Sequence, residues 1–357
     1  MSAVFHPQGY RSEVSSAFAG ARCLITGGLG FIGSNLAHHL VRLGAEVTLL
    51  DALLPRYGGN LYNVDGLRER LRVVIGDACD DRVLCELVPG QQYIFSLAGQ
   101  IGHLDSMEDP RTDLRINAEG PLQLLEACRR YNRGAKVLYA STRQVYGRPR
   151  YLPVDETHPL QPIDCNAVSN LTAERYHRIY FEAHGVRTTC LRLTNTYGPR
   201  QMMKDREGRY AFLYFFLRQA LDGERLRIMG GTQLRDYTYI DDAVAALLLA
   251  AERPEADGQV YNLGGEPATH WELIRHVLDA VGGGEHEVVP LPPERAMIEV
   301  GRVQLDFSRI EGALGWSPRV GLVEGLRRTV AYYRQHREHY WHADALRARH
   351  QAELAVG

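Results

Sequence analysis

The stretch Leu24-Ile25-Thr26-Gly27-Gly28-Leu29-Gly30-Phe31-Ile32-Gly33 places glycines at every third position between an apolar run and an amphipathic one. Residues of that kind hold phosphate. Gly27 permits a tight turn, and Gly30 lets the backbone N–H groups of a helix start, at Phe31 and Ile32, approach a pyrophosphate. Gly33 permits close helix–strand packing. Asp51 ends the next strand candidate, eighteen residues after Gly33. A carboxylate there accepts hydrogen bonds from ribose hydroxyls and repels a 2′-phosphate. The chemistry this implies is dinucleotide binding, with NAD preferred over NADP.

The elements that must position these residues follow a βα rhythm. Strand candidates are Arg22–Thr26, Glu46–Leu50, Leu71–Ile75, Tyr93–Leu97, Lys136–Ala140, Thr188–Leu193 and Gln259–Leu263. Helix candidates include Ile32–Leu43, Thr112–Tyr131, Ala167–His184 and Leu322–His336. Alternation of this kind implies an α/β fold, a doubly wound Rossmann parallel sheet covered on both faces. After Tyr197 the rhythm breaks into loops rich in Gly and Pro, which reads as a smaller, discontinuous C-terminal substrate lobe. The expected division is an arm over 1–20, a Rossmann domain over 21–197 plus 236–265, a substrate lobe over 198–235 plus 266–335, and a tail over 336–357.

Composition narrows the class. The 357 residues carry a net charge of −2, which gives no bulk electrostatic case for nucleic acid or an anionic membrane. The six cysteines are scattered without a CxxC pair, so neither a metal site nor a disulfide framework is expected, and a reducing cytoplasm fits best. Residues 1–20 lack the cationic start and apolar run of a signal peptide. The longest apolar stretch, around Ala243–Ala251, is too short to cross a bilayer.

The glycine spacing, together with later motifs, resembles the extended short-chain dehydrogenase/reductases that act on nucleotide sugars, over about residues 21–335. The resemblance implies NAD as cofactor and a nucleoside-diphosphate sugar as substrate. Ile75-Gly76-Asp77-Ala78 is similar to the adenine-contacting motif, with Asp77 reaching the base. Leu97-Ala98-Gly99-Gln100 is similar to the loop along the nicotinamide ribose, and Asn117 matches an asparagine of the middle helix. On the substrate side, Asn195 lies in a Thr-Asn-Thr-Tyr-Gly-Pro junction, and Arg235 in an Arg-Asp-Tyr-Thr-Tyr-Ile-Asp-Asp element whose arginine grips the diphosphate in relatives. Arg295 or Arg302 would add a second phosphate contact. Leu314-Gly315-Trp316-Ser317-Pro318 matches a structural closing element. Helices Thr112–Tyr131 and Ala167–His184 resemble the pair that forms a dimer interface, which implies a homodimer.

The family's hydride chemistry uses a Ser/Thr, a Tyr and a Lys, the last two four residues apart. By that pattern Thr142 is the hydroxyl, followed by Arg143 and Gln144. The Ser169-x-Leu171-x-Ala173-Glu174 frame then puts Asn166 at the tyrosine position and Asn170 at the lysine position. No other Tyr-x-x-x-Lys exists, since Lys136 and Lys204 are the only lysines. Spacing i, i+4 sets both asparagines on one helix face. Asn170 can still bond a ribose hydroxyl and Asn166 a sugar oxygen, but neither carries a charge or acts as a base near neutral pH. His103 stands just after the nicotinamide loop, and histidine is a residue type suited to acid/base work. Asp164 and Cys165 are further candidates, and Tyr146 reads as structural.

Two functions compete: an NAD-dependent epimerase or related isomerase with a relocated acid/base, or a catalytically altered NAD/nucleotide-sugar-binding protein. A redox-neutral lyase is a third. The family's 4,6-dehydratases follow the hydroxyl residue with Asp-Glu, the acid and base of water elimination. Arg143-Gln144 cannot perform that step. The Leu97–Pro110 loop looks closer to CDP-tyvelose-type epimerases.

Overall fold

The computed structural model describes residues 17–54, 57–202, 212–291 and 293–341. Twelve strands occur in these residues: β1 (Arg22–Thr26), β2 (Glu46–Asp51), β3 (Leu71–Ile75), β4 (Tyr93–Ser96), β5 (Lys136–Thr142), β6 (Arg187–Leu193), β7 (Asn195–Tyr197), β8 (Leu226–Met229), β9 (Leu234–Tyr239), β10 (Val260–Asn262), β11 (Glu266–Thr269) and β12 (His286–Val289). Seven of them form one sheet in the order β10-β6-β5-β4-β1-β2-β3, with every pairing parallel. The strand order reverses beside β1, and that switch point is the crevice where doubly wound sheets take their ligands.

The crossover helices supply the two apolar faces. Helix Phe31–Arg42 buries Leu36, Ala37, Leu40 and Val41, at the 3.6-residue period of one face. Helix Cys165–His184 starts at Asp164, whose carboxylate accepts the Ala167 N–H at 2.7 Å, and ends at Gly185 with φ of 68°. Both are ordinary terminus signals. Thr112–Tyr131, read from sequence as one helix, is interrupted. A turn Pro110–Leu114 leads into a π-helical stretch Arg115–Glu119 before the regular helix Gly120–Tyr131. Wide turns of this kind recur at functional sites.

The smaller lobe holds a three-stranded sheet, β11-β9-β7, and the parallel pair β12-β8. β7 and β9 run parallel, while β11 runs antiparallel to β9. The expected 235/236 boundary therefore falls inside a strand, and β7 pairs with the lobe's sheet. Two expected loose ends are packed where they are described. Phe18, placed in the arm, is fully buried against Tyr93. Tyr340, placed in the tail, is buried and donates to Asn63 Oδ1 at 2.8 Å. The remainder of the arm and tail lies outside the described residues.

Candidate functional site

A pocket of about 220 Å³ opens at the carboxyl ends of β1, β2 and β3, lined by Gly27, Gly30, Phe31, Ile32, Gly33, Asp51, Asp77 and Ala78 among others. Gly27 has φ of +68°, and a Cβ there would meet the Ala98 backbone and the Leu97 carbonyl at 2.8 Å. A Cβ on Gly33 would meet the Gly27 carbonyl at 2.3 Å. The turn and the helix start can close on each other only as glycine. The first-turn amides of Phe31–Arg42, preceded by Gly30 with no side-chain cap, remain available to an anion. These residues fit a dinucleotide.

The two acids of the pocket are already engaged. Asp51 accepts the Leu29 N–H at 3.0 Å and the Leu53 N–H at 2.9 Å, which fixes its carboxylate at the pocket rim. An ionised carboxylate is acceptor-only, which suits it to ribose hydroxyls. Asp77 accepts the Cys79 N–H at 2.8 Å and pairs with Arg115 at 2.5 Å. Burial alone would raise its pKa, but the Cys79 amide and the Arg115 guanidinium outweigh that and hold it below the usual range.

A second, larger cleft of about 430 Å³ lies between the sheet and the lobe. Phe31, Ile32, Leu97, Ala98, Gly99 and Ile101 line both compartments, so the two spaces share a wall. The larger cleft gathers Gln100, His103, Asn117, Thr142, Arg143, Asn166, Asn170, Asn195 and Arg235. Arg302 is exposed and stands outside the lining. The side chain of Arg295 lies outside the described residues, as does Lys204. Lys136 is buried at the start of β5 and pairs with Asp257 at 2.7 Å, so it holds structure and is not a lysine of the cleft.

The two asparagines line the cleft, but their amides are bonded within the protein. Asn166 is 3% exposed. Its Nδ2 lies 2.7 Å from the Gln100 carbonyl, 3.1 Å from Gln100 Oε1 and 3.1 Å from Asp113 Oδ1. Asn170 donates to the Asn166 carbonyl at 2.8 Å and accepts the Tyr139 hydroxyl at 2.8 Å. Asn117, in the π-helical stretch, completes the cluster. It accepts the Gln100 N–H and donates to the Gln100 carbonyl, both at 2.9 Å, and donates to Asp113 at 2.8 Å. Together they clamp the loop at Gln100, leaving little bonding capacity for a ligand. Nothing in the local spacing signalled Gln100, Asp113 and Tyr139 as their partners.

The acid/base candidate that lines the cleft is His103. Its Nδ1 lies 2.9 Å from Asp164 Oδ2, and its Nε2 lies 3.1 Å from Gln144 Nε2. The carboxylate selects the Nδ1–H tautomer, which leaves Nε2 as an acceptor facing the cleft. Asp164 does two jobs, capping the helix with one oxygen and holding the histidine with the other. Burial pushes its pKa up, but the His103 hydrogen bond and charge and the Ala167 amide reverse that, so the carboxyl sits below its ordinary value. Thr142, at the end of β5, accepts the Gln144 N–H at 3.2 Å and keeps its own proton to donate. His270, also in the cleft, is pushed down to about 3 by burial and the neighbouring Arg235 and Arg143, so it is a neutral and weak base.

Strand β9 alternates across the lobe. Arg235 and Tyr237 line the cleft, while Asp236 between them accepts the Leu305 N–H at 2.6 Å. Arg235 pairs with Glu299 at 2.5 Å. Asn195 donates to the Asp236 carbonyl at 2.9 Å.

Comparison with known proteins agrees with this architecture. Residues 23–264 match the model of the NAD dependent epimerase/dehydratase family. A putative UDP-glucose 4-epimerase of Methanocaldococcus jannaschii is 33% identical over 310 residues, covering 86% of this chain and 96% of that one. The crystal structure of UDP-glucose 4-epimerase from Thermotoga maritima, with UDP-glucose, aligns at a TM-score of 0.80 and 32% identity, covering 88% of this chain and 99% of that one. A dTDP-glucose 4,6-dehydratase from Streptomyces venezuelae, solved with NAD bound, aligns at 0.81 and 29% identity, covering 91% and 99%. The glycine cradle, the seven-stranded parallel sheet and these matches agree, and the chain belongs to the NAD dependent epimerase/dehydratase family, as a Rossmann-fold enzyme that uses NAD.

Proposed function

We propose that this chain is a nucleotide-sugar epimerase or related isomerase whose acid/base is His103. The observation that carries this reading is the 2.9 Å contact of His103 with Asp164 in the cleft beside Thr142. The Gly27–Gly33 turn and Asp51 would hold NAD, which would supply a reversible hydride acceptor for a sugar carbon. The Thr142 hydroxyl orients the sugar hydroxyl, and His103 Nε2 takes its proton once that hydroxyl replaces the Gln144 amide as its partner. Asp164 stabilises the imidazolium that results, and the same proton returns when the carbonyl is reduced.

Epimerisation is favoured over dehydration because Arg143 and Gln144 follow Thr142, and neither is a carboxylate able to move the protons of water elimination. Asn195 and Arg235 would hold the nucleoside-diphosphate part. A homodimer through Pro110–Tyr131 and Cys165–His184 is supported by exposed apolar residues on these segments, Leu114, Val168 and Ile179. The bracing role of Asn166 and Asn170 favours a second reading, an altered protein that binds NAD and nucleotide sugar without turnover.

The deciding experiment incubates the purified protein, with NAD, against a panel of UDP-, dTDP-, CDP- and GDP-sugars and resolves the products by chromatography. A new epimer supports the first reading. Binding without a product supports the second, and neither binding nor product removes both.

A further inference from the structure

Arg143 is a buried cation of the cleft whose guanidinium has no hydrogen-bonded partner among the described residues. Its side chain is 8% exposed, and it lines the cleft between Thr142 and Gln144, which contacts His103. No hydrogen bond or ion pair to its side chain occurs among the described residues. Arg235, by contrast, has Glu299. Removing a guanidinium from water without a hydrogen-bonded counter-charge is unfavourable, and a fold keeps such a group where a ligand completes it. Burial, and then the nearby Arg235, push Arg143 down to about 10 against the charges of Asp236 and Glu299, neither of which is hydrogen-bonded to it, so it remains charged at neutral pH.

We propose that Arg143 receives a carboxylate carried by the sugar ring, so that the preferred substrate is a nucleoside-diphosphate sugar acid. This rests on the reading of the cleft as a nucleotide-sugar site. The backbone places Arg143 at the reacting end of the cleft. Thr142 and Gln144 on either side of it belong to the group around His103, and Arg143 also acts on Asp164 through its charge. The planar guanidinium fork matches a carboxylate with two parallel hydrogen bonds. A neutral hydroxymethyl group in the same place would leave the buried cation unpaired, so a site of this kind discriminates against it. The diphosphate is the other anion a nucleotide sugar brings, and since Arg235 stands near Arg143 in the same cleft, affinity for the bare nucleotide is what separates the two anions.

The test measures calorimetric affinities for the pairs UDP-glucose and UDP-glucuronate, and GDP-mannose and GDP-mannuronate, and for UDP and GDP alone. It uses the NAD-loaded protein and Arg143→Gln. In the unsubstituted protein the acid of the favoured pair is expected to bind at least tenfold tighter than its neutral partner. Arg143→Gln should abolish that ratio while changing affinity for the bare nucleotide by less than about twofold. Arg143→Lys, which keeps the charge and loses the fork, should fall between. Equal affinity for acid and neutral sugar overturns the proposal. Equal weakening of both sugars and the nucleotide in Arg143→Gln also overturns it, assigning Arg143 to the diphosphate. In both cases the nucleotide-sugar reading stands. If neither pair nor nucleotide binds, that underlying reading fails and the proposal falls with it.

Discussion

The Asp164 carboxylate caps its own helix through Ala167 and holds His103 Nδ1 at 2.9 Å, joining two residues 61 positions apart in the chain. Because one rigid helix end fixes the carboxylate, the imidazole is oriented before any ligand arrives. His103→Gln is therefore expected to lower kcat by about 10²–10⁴-fold with NAD affinity unchanged. Asp164→Asn should lower kcat by a smaller factor. The Nδ1–H tautomer is then no longer enforced. Steady-state kinetics from pH 5 to 9 check both, and full activity in His103→Gln would remove it as the acid/base.

Gly33→Ala is expected to weaken NAD at least tenfold. The added Cβ falls 2.3 Å from the Gly27 carbonyl, which is backbone and can yield only by opening the turn. Overpacking of this type costs about 1–3 kcal/mol. NAD titration by fluorescence, with thermal unfolding in parallel, separates lost cofactor affinity from lost fold. Unaltered NAD affinity would mean that the turn is not the phosphate cradle.

Installing the family's tyrosine and lysine, Asn166→Tyr with Asn170→Lys, is expected to lower Tm and yield no gain in hydride transfer. Asn166 bonds Gln100 and Asp113 from a position only 3% exposed, so a phenol must displace both. Each buried partner left unsatisfied costs about 1–3 kcal/mol. NADH absorbance in single turnover, with Tm, measures the outcome. A large gain of hydride transfer would instead show that the chain had simply lost the usual pair.

Asp236 makes a pH-dependent contribution to stability. Burial pushes its carboxyl up to about 7, against the Leu305 amide and the charges of Arg143 and Arg235. The folded state therefore keeps a proton that the unfolded chain has released above about pH 4. Stability from this group falls as pH rises from about 4 to 7 and then levels. Asp236→Asn retains an acceptor for the Leu305 N–H and removes the titration. Its Tm advantage over the unsubstituted protein should grow from pH 5 to pH 8 in buffered melts. A difference that is flat with pH would count against a raised Asp236.

The sheet was open to reading from the sequence because it is built from local signals. β1 and β3 fall at the ends expected from their apolar runs, and Gly27, Gly30 and Gly33 stand at a strand–helix junction whose geometry they dictate. The interruption at Arg115–Glu119 was not open to it, since one residue added to a helical turn leaves the hydrophobic period almost intact. The asparagines were visible as a departure, but their inward direction depends on Gln100 and Tyr139, which only the folded chain brings to them. Asp164 was visible as a residue beside Asn166. Its hold on His103 was not, because contacts across loops leave no periodic trace.

The pleat of β9 makes the cleft sensitive to parity. Arg235 and Tyr237 point one way and Asp236 the other because successive side chains of a strand alternate. A slip of one residue against β7 and β11 would turn the carboxylate towards the ligand and bury the guanidinium behind it, inverting the charge offered to an anion. Length changes in the Gly230–Gln233 turn that feeds β9 are therefore tolerable only when the strand keeps its pairing of Asn195 with Tyr237 and of Ala268 with Arg235.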